Sequence, residues 1–292
     1  MPASDNLRTA LLDRLAAGWV ALGVSVGGPA DRTLVDPEAL IVMTALHGRD
    51  EPRVHEAALD WCVKLGTLVN GARLRTIAGE VGSDPAALAG FAALVAGGGG
   101  PRWPVLAGPP VPYRSRGKVQ VRDLREPAAL AVRLRALFGV AVRADILAVL
   151  ATSPGSAPSL ADLAATTRST KRNVAIAVRT LSLGGAVEID HVANQQRVRL
   201  AAHRGFSEWL GPLPEPADWA TRFTVVEALL RFDSANIASP VARAVEARAL
   251  AERVLPLVRR TGLPVPDTRA GGEAFQRAYE AWQQGLAATV RP

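Results

Sequence analysis

The residues with the greatest potential for chemistry are the histidines, the single cysteine and the carboxylates beside them. His47, His55, Asp60 and Cys62 lie close together in the sequence, which invites a metal-binding interpretation. None of the usual zinc-ligand spacings is present, however, and a structural zinc site needs four ligands placed together. We therefore expect no metal here and assign these residues structural or surface roles.

Common catalytic motifs give little support for an enzyme. The HExxH, Walker, GxGxxG and CxxC patterns are not found, and the histidines are too scattered to suggest a nucleophile with its base. The glycine run 97–100 is followed by Pro101, Arg102 and Trp103 instead of the GK[ST] of a phosphate-binding loop. We interpret this run as a hinge, and we expect a protein without enzyme activity or cofactor.

Binding chemistry is indicated more clearly by a basic helix, predicted to begin at Ser169 or Thr170 and to end at Leu183. Its apolar stripe, which should be buried, consists of Val174, Ala177, Val178 and Leu181, whereas Arg172, Ala175, Ile176 and Arg179 fall opposite. The helix contains no carboxylate, and Lys171, Arg172 and Asn173 occupy its first turn. Because the helix dipole disfavours cations at that end, nucleic-acid phosphate is the partner that would explain them.

Two shorter helices are predicted before this one. The first covers residues 143–151 and ends at breakers that include Pro154 and Pro158. Ser159 has the features of an N-cap, with Asp162 completing a capping box for a second helix. Residues 166–169 form the turn into the basic helix. Gly184 is expected to end that helix in the left-handed conformation.

A hairpin is predicted after the basic helix. Val187 and Ile189 alternate with polar residues, and Val198 and Leu200 do so after a polar tip at residues 193–196. The order of helix, helix, helix and hairpin resembles the winged helix-turn-helix domains of bacterial transcription regulators, the MarR-like and ArsR-like group in particular. This resemblance covers about a fifth of the chain and rests on the pattern alone. Some winged helices serve protein contacts, and that alternative remains open.

The resemblance implies contact with double-stranded DNA through the basic helix and the hairpin. The first turn of such a helix meets base edges, and Ile176 would meet a thymine methyl group. Arg197 in the hairpin is expected to contact phosphate. The candidate DNA-binding residues are Ser169, Thr170, Lys171, Arg172, Asn173, Ile176, Arg179, Asn194, Gln195, Gln196 and Arg197.

The distribution of charge agrees with a nucleic-acid partner. The chain has 292 residues and a formal net charge of +7. Residues 102–125 carry six basic and one acidic side chain, and residues 126–211 carry ten and six, whereas residues 1–101 are net acidic. The positive charge therefore lies on the predicted module and on the segment before it, which is typical of a nucleic-acid binder.

We expect a mainly α fold in which a central winged helix-turn-helix with a small β-hairpin wing lies between N- and C-terminal helical domains. The predicted divisions are a helical domain at 1–101, a Pro-rich basic connector at 102–125, the DNA-binding domain at 126–211 and a helical domain at 212–292. Within the connector, a short strand is expected at residues 119–121. Its basic residues Arg114, Arg116 and Lys118 either follow a phosphate backbone or belong to a loop.

The predicted partners are double-stranded DNA and a second copy of the chain. Two apolar stripes, one within residues 7–22 and one within residues 275–286, suit either a dimer seam or the core of their own domain. The function we expect is a transcriptional repressor. The alternative is an autoregulating antitoxin-type protein that holds a partner protein through its helical flanks. One cysteine, no signal peptide and no membrane-length apolar run indicate the cytoplasm and no membrane.

Overall fold

The structure is a computed structural model that describes residues 3–105, 107–115, 124, 126–192, 194–202, 204–237, 239–269 and 272–292. Within these ranges there are thirteen α-helices, three short 3₁₀ turns and one antiparallel hairpin. The expectation of a mainly α chain with a small hairpin is therefore confirmed.

Three of the five N-terminal helices begin at a side-chain N-cap. Asp36 and Asp84 each accept a hydrogen bond from a first-turn amide and are followed by proline, and Asn70 caps a third helix. The sequence predicts the two aspartate caps. The helices are α1 (Ala3–Ala21), α2 (Pro37–His47), α3 (Pro52–Leu65), α4 (Gly71–Val81) and α5 (Pro85–Gly97).

The middle of the chain contains the predicted helices and hairpin in the expected order. Ser159 and Asp162 form the capping box that the sequence predicts. The elements are α6 (Leu130–Phe138), α7 (Val142–Thr152), α8 (Leu160–Thr167), α9 (Lys171–Leu183), β1 (Val187–Val192), β2 (Gln195–Leu200) and α10 (Arg204–Leu210). Helix α10, which contains Phe206 and Trp209, is not predicted from the sequence.

The glycine pair after α9 corrects one expectation. Gly184 has a φ of −80°, so it does not take the left-handed conformation predicted for it. Gly185 takes that role with a φ of 73°. Helix α9 therefore ends at Leu183 as expected, but the left-handed residue that reverses the chain before β1 is the second glycine and not the first.

The C-terminal region contains three longer helices. They are α11 (Trp219–Ser234), α12 (Pro240–Thr261) and α13 (Gly272–Val290). The first two begin at Asp218 and Ser239, which the sequence predicts as the starts of helices and whose side chains accept from first-turn amides. Helix α13 packs along α1, and α11 packs against α2 and α4. The end of the chain therefore returns to the helices at its beginning.

Two apolar cores result from this packing. One core combines α1–α5 with α11–α13, which we call the helical body. The other joins α6 and α10 to α7, α8, α9 and the hairpin, and we call α7–α9 with the hairpin the three-helix module. The sequence assigns residues 1–101 and 212–292 to separate helical domains, whereas their buried side chains form one core in the structure.

Both apolar stripes considered for a dimer seam lie inside this shared core. Leu7, Leu11 and Leu15 of α1 are fully buried. The stripe of α13 that consists of Phe275, Tyr279, Trp282 and Leu286 is also buried. Tyr279 makes edge contacts with Phe232 and Trp282. Of the two interpretations that the sequence leaves open, the structure therefore shows core packing within the chain.

The glycine run 97–100 is closely packed and is not the hinge that we expected. A Cβ built on Gly97 would lie 1.7 Å from the carbonyl oxygen of Val111, and one on Gly100 would lie 2.7 Å from Val95. The connector lies against the body here, because Val111 donates a backbone hydrogen bond to Ala93. Small residues are needed for this approach. The strand expected at residues 119–121, with Arg116 and Lys118, lies outside the described residues.

The described helices contain no segment that is both long and apolar enough to cross a membrane. Even α12, with 22 residues, carries charged side chains along its length.

The burial of the α13 stripe gives a test of the shared core. We expect Trp282→Ala to lower the free energy of unfolding by about 3–5 kcal/mol, because it removes a buried indole and its hydrogen bond to the Pro264 carbonyl. Gln284→Ala, on the exposed side of the same helix, is the matched control and should have little effect. Urea unfolding measures both. An equal, small effect of the two substitutions would contradict the packing described.

Candidate nucleic-acid interface

Helix α9 turns one face into the core of the module and the other into solvent. Val174, Ala177, Val178 and Leu181 are buried as predicted. Lys171, Arg172, Asn173, Ile176 and Arg179 are exposed, and Ile176 retains 58% of its accessible surface. All the α9 residues selected from the sequence therefore share one open surface.

The cations of this surface are not neutralised by the protein. Among the described residues, Lys171, Arg172 and Arg179 have no ion pair or hydrogen bond through their side chains. Thr170 caps α9 by accepting from the Asn173 amide, whereas Ser169 lies in the turn before it. The first turn of α9 therefore combines free cations with hydroxyl and amide groups, which are donors for phosphate and base edges.

Arg168 fixes the turn that leads into α9. It ends α8 with a φ of 49°, in the left-handed region, and it is the only such residue other than glycine in the described ranges. Its guanidinium lies 3.2 Å from Glu80 at the end of α4 and 2.8 Å from Asp218 at the start of α11. It also donates to the Thr221 hydroxyl. These bonds hold the turn before α9 against the helical body and offset the backbone strain.

The turn of the hairpin is shorter than the sequence predicts. Strand β1 pairs with β2 from Val187 opposite Leu200 to Val192 opposite Gln195. Gln195 and Gln196, which we predicted in the tip, therefore belong to β2. Asn194 remains in the turn, and Ala193 lies outside the described residues. Asn194, Gln195 and Gln196 are all exposed.

The hairpin arginines are engaged with the module itself. Arg197, expected to be free for phosphate, donates to the Ala157 carbonyl at 3.3 Å and to the Gln195 side chain at 3.0 Å. The backbone of β2 also bonds to the segment before α8. Val198 N–H donates to the Pro158 carbonyl, and Arg197 forms an antiparallel bridge with Ser159. Arg199 pairs with Glu188 and Asp190 across the strands. The hairpin therefore supplies less free charge than its sequence suggests.

A buried group of charges joins the module to the body. We call it the junction cluster, and its members are Asp36, Glu38, Arg73, Arg135 and Asp145. Arg73 contacts Asp36 and Glu38, each at 2.5 Å. Arg135 contacts Glu38 at 2.6 Å and Asp145 at 2.8 Å. Because these residues belong to α2, α4, α6 and α7, the cluster connects helices of both cores.

The two aspartates of the junction cluster respond differently to burial. Burial raises the pKa of Asp36, but the charge and hydrogen bonds of Arg73 lower it by more. The pKa therefore falls from 3.8 to about 2. Burial also raises the pKa of Asp145, and there Arg135 and Arg73 do not fully oppose it. Of the two aspartates, Asp36 is therefore the one whose ionised form favours the folded state.

Two cavities flank the residues that link body and module. One, of about 360 Å³, is lined by residues that include Arg73, Asp145, Arg168 and Arg222. The other, of about 500 Å³, is a groove between α4 and the beginning of α9. Most arginines of the first cavity are already in ion pairs with the protein. The groove borders the exposed face of α9.

The residues considered for a metal have separate structural roles. His47 pairs with Glu227 at 2.6 Å, and the His55 ring packs edge-on against Phe91. Asp60 accepts from the Tyr113 hydroxyl at 2.6 Å, and the Cys62 thiol is buried, which raises its pKa. Among the described residues, no three His, Cys, Asp or Glu side chains converge as metal ligands.

One further catalytic motif is present in the sequence, beyond the patterns considered above. Residues 23–27 read GVSVG and match GxSxG, the pattern around the nucleophile of α/β-hydrolases. That chemistry requires a strand before the serine and a helix after it. Here the segment follows α1 and leads into a loop, and Ser25 is exposed. The local structure is therefore unlike a nucleophile elbow.

The comparisons with known proteins add no family. No protein-family model matches the chain, and no curated protein or solved structure is significantly similar to it.

Several positioning residues were not identified from the sequence. Arg168, Glu38 and Arg135 are charged residues inside or beside apolar patterns, and each is nearly or fully buried in the structure. A carboxylate at the second position of α2 or an arginine in the apolar stripe of α6 is a local signal of an internal ion pair. Asp145 lies 10 residues from Arg135, but the other ion-pair partners are 35 to 97 residues away and could not be named.

The lowered pKa of Asp36 predicts an acid-sensitive contribution to stability. Its ionised form stabilises the fold above pH 4, and this contribution of about 2 kcal/mol is lost as the pH falls from about 4 towards 2. Asp36→Asn keeps an N-cap acceptor but cannot ionise. We therefore expect lower stability at pH 6 and a shallower loss of stability between pH 4 and 2 than in the wild type.

Asp84→Asn is the matched control, since Asp84 caps α5 before a proline in the same way but is exposed. Its unfolding free energy, measured with urea across this pH range, should follow that of the wild type. If the Asp36→Asn curve also followed the wild type, the assigned role of the ion pair with Arg73 would be wrong.

Proposed function

We propose that the chain is a sequence-specific double-stranded DNA-binding transcriptional repressor that works in the cytoplasm, and that the three-helix module is a winged helix-turn-helix. The observation that carries the proposal is the exposed face of α9. It presents Lys171, Arg172 and Arg179 without an acidic partner in the part of the chain that the structure describes. A cationic helix face of this kind suits the negative potential of a DNA groove.

The packing of the module supports this interpretation. Helix α9 lies against both α7 and α8, and the hairpin is tied through Pro158 and Ser159 to the segment before α8. A winged helix-turn-helix places its third helix in the major groove and its hairpin beside it. The exposed residues of α9 and the turn residue Asn194 therefore lie on the elements that this type of module uses.

Individual roles follow from side-chain chemistry. Arg172 can form two hydrogen bonds with guanine in the major groove, and Asn173 can do so with adenine. Ile176 offers an apolar contact for the thymine methyl group. Lys171 and Arg179, at either end of this row, suit the flanking phosphates. Sequence discrimination should therefore depend on Arg172, Asn173 and Ile176.

A single recognition helix covers too few base pairs to specify one operator in a genome, so we propose that two copies bind an inverted repeat. The stripes of α1 and α13 are buried in the core of their own chain, and the copies must therefore pair through another surface. The same burial removes these stripes as docking sites for the antitoxin-type alternative, which is thereby less favoured.

The first test is binding of the purified protein to DNA. Genomic fragments that it retains are sequenced to give a natural site, and fluorescence anisotropy measures the affinity for that duplex at several salt concentrations. If about six phosphates are contacted, log K should fall against log salt with a slope near −5. Sedimentation of the complex should give two chains per site. No retention of DNA at low salt, or an affinity independent of salt, would refute the proposal.

The second test concerns sequence readout. We expect Arg172→Ala to weaken binding to the natural site by about 1–3 kcal/mol and to reduce discrimination against unrelated DNA, because it removes a base contact. Arg253→Ala removes the same charge from an exposed position on α12 and is the control. Equal affinities of the two variants for the natural site would contradict the role of Arg172.

A further inference from the structure

We infer that the groove between α4 and α9 is a second DNA contact, which seats the sugar–phosphate backbone beside the base pairs that α9 reads. This inference rests on the proposed function. It assigns a DNA-binding role to helix α4 of the helical body, outside the three-helix module.

The groove has the size and position for this contact. It encloses about 500 Å³ and is lined on the body side by Asn70, Ala72 and Thr76 of α4 and its cap. On the module side it is lined by the first two turns of α9, including Asn173 and Ile176. These two residues also belong to the exposed face of α9. A DNA strand in the groove would therefore be adjacent to the bases that this face meets.

The chemistry of the groove suits phosphodiesters. Its lining includes Ser169 and Asn173, whose side chains are hydrogen-bond donors, and the exposed Arg143 at the start of α7. Arg143 has no ion-pair partner among the described residues. Phosphate contacts in protein–DNA complexes are made mainly by such hydroxyl, amide and arginine groups.

The balance of charge also favours an anion. Of the three arginines that line the groove, Arg73 and Arg168 are paired within the protein, and Arg143 is the cation left free among the described residues. The lining contains one carboxylate, that of Asp145. That carboxylate is 8% exposed and is held by Arg135. Glu80, the other nearby acid, lies towards the end of α4 outside the lining and is paired with Arg168. A cation or a basic peptide would find no free carboxylate in this lining.

The groove is held open by contacts on both sides. Arg168 links the turn before α9 to Glu80 and Asp218 of the body, and Arg135 links α6 and α7 to Glu38 of α2. The walls are therefore fixed relative to each other before DNA arrives. A preformed site loses less conformational freedom on binding than one that must close.

The test uses the full chain with substitutions in the groove. Thr76→Glu places a carboxylate in the groove from an exposed position on α4, and Arg143→Ala removes its free cation. Each should lower the affinity by about fivefold to tenfold on the natural site and on unrelated DNA alike, since phosphate carries no sequence information. Arg143→Ala should also reduce the magnitude of the salt slope by about one.

Two controls separate charge from disturbance of the fold. Thr76→Gln introduces a side chain of the same size as glutamate but without its charge, and this variant should bind as the wild type does. Thr289→Glu puts the same charge on an exposed position of α13, where the native threonine makes the same hydrogen bond to the carbonyl four residues earlier. It should bind as the wild type, and urea unfolding confirms that each variant is folded.

The outcomes distinguish this inference from the proposed function. If Arg172→Ala weakens binding to the natural site while both groove variants bind as the wild type, the module binds DNA and the groove assignment is wrong. Loss of binding by Thr76→Gln as well as Thr76→Glu would also overturn it, because charge would not be the cause. If the wild-type protein binds no DNA, both proposals fall.

Discussion

The arrangement of this chain depends on the ionic bonds of Glu38. Its carboxylate is fully buried, and a buried charge is tolerated only when it is paired and hydrogen-bonded. Arg73, Arg135 and the Asn70 amide supply these bonds. Because Arg135 extends to Asp145 in α7, the pairing of one glutamate in α2 determines where the three-helix module meets the helical body.

The junction cluster contributes more to fixing the arrangement of the helices than to the stability of the fold. The cost of removing five charged groups from water offsets much of their attraction, and apolar residues of similar size would often serve stability equally well. Directional bonds, however, allow few alternative arrangements of the helices. Arg168 adds a second anchor of the same kind beside α9. The module is therefore held in one orientation, which the proposed groove between α4 and α9 requires.

Local structure could be predicted from the sequence, because its causes are local. The caps at Asp36, Ser159 and Asp218, the buried stripe of α9 and the alternation in the hairpin were all identified from neighbouring residues. The shared core of the two chain ends could not be predicted, since an amphipathic stripe such as that of α13 shows that a face is buried but not against what. The engagement of Arg197 with Ala157 was missed for the same reason. Helix α10 was missed because seven residues carry too short a pattern.

The distribution of charge then follows a consistent rule. Charges at the junction are desolvated and paired, as with Glu38 and Arg135, since a buried charge that loses its partner is strongly destabilising. The cations of α9 remain hydrated, so leaving them unmatched costs little while the protein is free. In the complex with DNA that we propose, these cations release counterions from phosphate, and this gain requires that no carboxylate of the protein already neutralises them. The two sets of charges are therefore related: the paired charges of the junction cluster hold the three-helix module in one orientation, and this orients the free cations of α9.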